Sequence, residues 1–195
     1  MSPLKNLFAH NEPGPRFKMA QMAELVAEPG ADVRQTAVAL RNVVQSRLVE
    51  NRGFVGSGPT AAQIFALADV ATAKIMRTLH LAGVTGRDTL ETAKLACYSW
   101  TPSNQAEAQH HHPITQAIFD VARHIALGKE RVWYFRLDMT FPENRRKVDA
   151  ILYPHDDPVM PTELPAATVL IRLDILDTLA RFMIAEAQAD AKPKH

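Results

Sequence analysis

The sequence predicts a mainly α protein with one β-hairpin: an α+β chain in which a helical bundle packs on a two- or three-stranded antiparallel ribbon. Three observations carry that expectation. Apolar residues recur at spacings of three and four through most of the chain. The spacing switches to two at Trp133. Hydrophobic residues make up 47% of the 195 positions, enough for a buried core and too many for a disordered chain. The length suits one domain.

The elements follow in order. Residues 1–15 mix Lys5, His10, Asn11 and Glu12 with three prolines and read as a flexible N-terminal arm. A single helical domain is expected over 16–188, with a flexible tail at 189–195. A helix over 16–28 places Phe17, Met22, Leu25 and Val26 on one side, and Pro29 and Gly30 stop it. Asp32 caps a second helix, about 33–51, in which Val33, Ala37, Leu40, Val44 and Leu48 share a face. Gly56 to Pro59 is a loop, and Thr60 caps a third helix that ends at Gly83. Its stripe is Ile64, Ala68, Ala71, Ile75, Leu79 and Ala82. Asp88 opens a fourth, with Leu90, Ala93, Cys97 and Trp100 together. Residues 103–112 are polar, and Pro113 starts a fifth helix carrying Ile114, Ile118, Val121 and Ile125.

The hairpin is expected at about 132–153. Trp133, Phe135, Leu137, Met139 and Phe141 alternate with Tyr134, Arg136, Asp138 and Thr140. After a turn, Val148, Ala150 and Leu152 alternate again. Residues 154–165 form an extended connection, and a final helix runs from about 166 to 188. In that helix Arg172 falls on the apolar side with Leu173, Leu176, Leu179 and Met183, so it needs a partner such as Asp138 or Asp149. If 168–173 were a third strand, that need would vanish.

Composition narrows the function classes. With a formal net charge of +1, wholesale phosphate neutralisation is not expected, although local basic clusters remain open. The single cysteine, Cys97, excludes an internal disulfide and fits a reducing compartment; the cytoplasm is the expected location. No apolar run is long enough to span a bilayer, so no membrane partner is expected. Ser57 and Ser99 lack a nucleophile elbow, and the loop at Gly56–Thr60 lacks the lysine of a phosphate-binding loop. Enzymatic activity is therefore not favoured, and no cofactor is expected.

Three constellations remain. Residues 60–82 fit either one core helix or a helix-turn-helix, the second reading putting Thr72, Lys74 and Arg77 against DNA. The hairpin tip, Arg145, Arg146 and Lys147, with Arg131 and Arg136 on the strand, either contacts phosphates or is a solvated turn. Trp133 and Tyr134 either stack on bases or belong to the core. His110, His111 and His112, with Asp120 and His124, are metal-ligand types, but consecutive helical residues diverge by about 100° and converge poorly on one ion. The leading expectation is a nucleic-acid-associated accessory or regulatory protein. A helical interaction subunit, joining a protein partner or forming a homodimer, is the alternative. A metal-dependent enzyme using His110, His112, Asp120 or His124 comes third.

Overall fold

The computed structural model describes residues 16–58, 61–98, 132–156, 158, 160–161 and 163–173. Strand β1 (Phe17–Lys18) leads straight into α1 (Met19–Val26), where the Gln21 side chain reaches back to accept the Lys18 N–H at 2.8 Å. Met22, Ala23 and Val26 bury one side of α1. Gly30, at φ 80, turns the chain toward α2 (Val33–Gln45). Asp32 caps α2 as expected, accepting the Arg34 N–H at 2.8 Å.

Helix α2 stops six residues short of the expected boundary for an identifiable reason. The Leu48 N–H returns to the Val43 carbonyl at 3.1 Å, and the Arg47 N–H to Val44 at 2.9 Å. That pair of bonds closes the helix, and buried Leu48 and Val43 clamp it. The position between them must be left-handed, and Arg47 occupies it at φ 59. Helix α3 ends in the same way at Gly83, the residue that suits such a site.

Strands β2 (Phe54–Val55) and β3 (Ala62–Phe65) form a hairpin, and β3 also pairs with β1, giving an antiparallel sheet of order β1-β3-β2. Helices α3 (Leu67–Leu81) and α4 (Arg87–Tyr98) follow. Helix α3 is buried almost all round through Ala68, Val70, Ala71, Ile75, Met76 and Leu79, as a central helix must be.

A second antiparallel sheet has the order β5-β4-β6, with β4 (Trp133–Thr140), β5 (Lys147–Pro154) and β6 (Ala167–Arg172). A 3-10 turn at Pro142–Asn144 joins β4 to β5. The hairpin therefore lies where the alternating spacing puts it. Helix α4 packs against β5. Trp133, Phe135 and Leu137 are buried along one side of β4.

The expected mainly α bundle with one hairpin is thus corrected. The described residues form four helices and two three-stranded antiparallel sheets, a mixed α+β fold. The expected helix over 16–28 begins with a strand, and residues 62–65 are a strand rather than the first turn of a helix. Residues 167–172 pair with β4 from Tyr134 to Met139 and are not helical. Arg172 accordingly lies exposed at the end of β6, opposite Tyr134, and is not a buried helix residue. The expected helix over 113–127, the arm at 1–15 and the tail at 189–195 lie outside the described residues.

Candidate nucleic-acid interface

The face of α2 opposite its apolar stripe is open to solvent. Arg34, Gln35, Val38, Arg41, Asn42 and Gln45 are all exposed there, in the spacing of a single helical side. No acidic residue occurs from Val33 to Arg47. The first acid beyond, Glu50, is engaged at 3.4 Å by both Arg52 and Lys94. Among the described residues, neither Arg34 nor Arg41 has a side-chain hydrogen bond or a carboxylate partner.

The β2–β3 hairpin stands beside this helix. Its loop turns on Gly56 and Gly58, both with positive φ, and Phe54 and Val55 on β2 are exposed. Between hairpin and helix lies an open cleft of about 580 Å³ lined by Arg41, Gln45, Arg47, Asn51, Phe54 and Gln63, among others. Arginines and carboxamides thus meet an aromatic ring at its walls.

A buried polar network anchors the segment that links α2 to the hairpin. The Asp69 carboxylate accepts from Arg52 Nε at 2.9 Å and Nη2 at 2.8 Å, from the Ala66 N–H at 2.7 Å and from the Tyr98 hydroxyl at 2.9 Å. Tyr98 in turn accepts the Glu50 N–H at 3.2 Å. Arg52 and Lys94 sit 6.0 and 5.7 Å from the Tyr98 ring centre. Burial pushes the Asp69 carboxyl above its ordinary value, opposed by the Arg52 guanidinium and the donors around it. Burial alone would lower Arg52, but its bonds to Asp69 and the charge of that carboxylate raise it. Burial, and then Asp69, push Tyr98 up strongly. This arrangement holds Arg52, Glu50 and the hairpin base rigidly against α3 and α4.

The sequence-predicted site residues fare differently. Helix α3 runs through Asp69 and Val70 without the break a helix-turn-helix over 60–82 requires. Thr72 is fully buried and Lys74 is 7% exposed, its Nζ donating to the Val26 carbonyl at 2.9 Å and Glu28 at 2.7 Å. Arg77 is half-buried. The expected outward face is thus an inward one, because α3 is the central helix and packs on nearly every side. Arg145, Arg146 and Lys147 are exposed at the β4–β5 tip, with Arg146 donating to the Thr89 hydroxyl and Lys147 3.0 Å from Asp149. Arg136 is held by Asp138 at 2.7 Å and lies 5.3 Å from the Tyr153 ring centre. Trp133 is buried in the core, and Tyr134 stacks on Tyr153. Cys97 is buried, which raises its thiol to about 12. Arg131, His110, His111, His112, Asp120 and His124 lie outside the described residues. Among the described residues no three His, Cys, Asp or Glu side chains group as metal ligands, and no helix is long and apolar enough to cross a membrane.

The apolar stripe of α2 is its stronger pattern in the sequence, and the exposed face lies opposite it. The complement of that stripe, free of acid and carrying two arginines and three carboxamides, was the available signal. No protein-family model matches the chain, and none of the curated proteins compared with it matches either.

Proposed function

We propose that the protein binds duplex DNA, with α2 entering the major groove and the β2–β3 hairpin lying on the neighbouring backbone. The observation that carries this reading is the acid-free exposed face of α2, from Arg34 to Gln45. Arginine pairs with guanine and carboxamides with adenine in the major groove, so the residue types suit base edges as well as phosphates. Helix α1, the turn at Glu28–Asp32 and α2 stand in the order of a helix-turn-helix, with a reading helix second. The hairpin follows as a wing, with its glycine loop free to approach a sugar-phosphate strand. The exposed basic tip at Arg145, Arg146 and Lys147 supplies a further phosphate contact when the duplex extends that far. An accessory or regulatory role is the reading that DNA binding through these surface residues suits best.

The test is titration of the purified chain into a labelled duplex across a salt series. Binding is expected at low salt, with log affinity falling linearly in log salt at a slope of about −0.9 per phosphate contact. Arg41→Ala weakens binding about 5- to 150-fold, while alanines at Arg145, Arg146 and Lys147 weaken all sequences alike and flatten the slope. Absence of binding to any duplex at low salt overturns the reading. The exposed Phe54 and Val55 would then mark the hairpin as a protein contact.

Arg47 separates stability from binding. Its left-handed backbone costs an L-residue roughly 1–2 kcal/mol, which glycine avoids. Arg47→Gly is therefore expected to raise unfolding stability by about 1 kcal/mol while lowering DNA affinity, a trade that fits an arginine retained at the cleft for contact. Denaturant unfolding and the same titration check both halves. A destabilised variant would show that the arginine side chain contributes more to the fold than its backbone costs.

A further inference from the structure

The exposed face of α2 contains a repeat. Arg34-Gln35 and Arg41-Asn42 are each an arginine followed by a carboxamide, seven residues apart, and all four side chains are exposed. Seven residues are two turns, so the second pair lies about 10.5 Å farther along the axis, rotated by only about 20°. The two pairs therefore present the same chemistry in nearly the same direction. Val38 lies between them, 55% exposed, the one apolar side chain among the six on this surface.

We infer that α2 reads two purine-bearing elements centred about three base pairs apart, each by an arginine and a carboxamide; this rests on the DNA-binding reading above. The spacing follows from the helix rise of about 10.5 Å set against about 3.4 Å per base pair along the duplex. Within each pair the arginine suits guanine O6 and N7, and the carboxamide suits adenine N6 and N7. Adjacent helical residues diverge by about 100°, so the two members of a pair address different bases. Val38 meets the intervening step and favours a thymine methyl there. The carboxamides decide against a purely electrostatic role. Gln35 and Asn42 add no charge for phosphates, yet each offers the donor and acceptor that an adenine edge requires. Arg34 is also well supported, since its backbone N–H is fixed by Asp32 at 2.8 Å and the first turn of the helix cannot fray freely.

The experiment is selection of bound duplexes from a randomised library by the full chain, repeated with Arg34→Ala, Arg41→Ala and Arg41→Lys. The expected wild-type motif has two purine elements separated by about three base pairs. Arg34→Ala should erase preference at one element and Arg41→Ala at the other, each weakening the selected site about 5- to 150-fold. Arg41→Lys keeps the charge without the fork geometry, so it should retain general affinity and lose the guanine preference. Circular dichroism establishes that these exposed-site variants fold. Salt-dependent binding with no enriched motif, or equal weakening of all sequences by both alanine variants, overturns the two-element inference and leaves DNA binding standing. A motif in which both variants blur the same base pair also overturns it. Failure to bind any duplex at low salt overturns the inference and the DNA-binding reading together.

Discussion

Asp69→Ala is expected to cost about 3–5 kcal/mol in denaturant unfolding. Asp69 is fully buried near the start of α3, and its two oxygens accept from Arg52, the Ala66 N–H and Tyr98. Removing it leaves a guanidinium whose side chain is only 20% exposed with Glu50, at 3.4 Å, as its remaining carboxylate, and takes the acceptor from the Tyr98 hydroxyl and the Ala66 N–H. Breaking one side of a buried ion pair is costly because the remaining charge has been stripped of water.

The reciprocal variant, Arg52→Met, adds a pH signature. Burial already raises the Asp69 carboxyl above its ordinary value, and loss of the guanidinium raises it further. A carboxyl whose folded pKa exceeds its unfolded value binds more protons in the folded state. Its stabilising contribution is complete below the unfolded value and is lost as pH rises through the folded one. The gap between wild type and Arg52→Met should therefore widen as pH rises past the wild-type folded value, which lies above the ordinary carboxyl range, toward the variant's still higher one. A gap that narrows on going to neutral pH would show that Asp69 does not govern this network. A double-mutant cycle should give a coupling of about 0.5–3 kcal/mol.

How much of this was legible in the sequence depends on element length. The β4–β5 hairpin declares itself because alternation persists across eight paired positions, Trp133 to Thr140 against Lys147 to Pro154. Strands β1 and β2 contain two residues each, too few to show a period, and owe their existence to pairing with β3. Ile64 satisfies both the alternation of a strand and the stripe that continues to Ala68, so the two periods compete at the strand's end. Strand β6 carries Val169, Leu170 and Ile171 in succession, a run compatible with either period, and its partner β4 lies some thirty residues earlier. At the site, Asp69 is an isolated acid amid Ala68, Val70 and Ala71, and a carboxylate in an apolar stretch needs a cation. Lys74 carried the same signal and found Glu28.

Phe135→Ala should cost about 3–5 kcal/mol, the usual loss for truncating a buried aromatic. Phe135 is fully buried at the middle of β4, and its cross-strand neighbours Leu152 on β5 and Ile171 on β6 are buried beside it. Burying one large side chain contributes roughly 1.5–3 kcal/mol, and the cavity left by truncation adds the rest. The loss falls on both edges of the sheet at once, because β4 is the strand that joins β5 to β6. Strand β5 also carries the contact with α4, so the damage reaches the helical layer. Leu170→Ala is the internal control: Leu170 lies on the same sheet, is 54% exposed, and should change stability by less than about 0.5 kcal/mol. Urea unfolding of the two variants separates them, with an unchanged slope marking a true stability change. A Phe135→Ala loss below about 1 kcal/mol would mean that the side chain is open to water in solution, and that the face of the sheet it occupies is a contact surface rather than core.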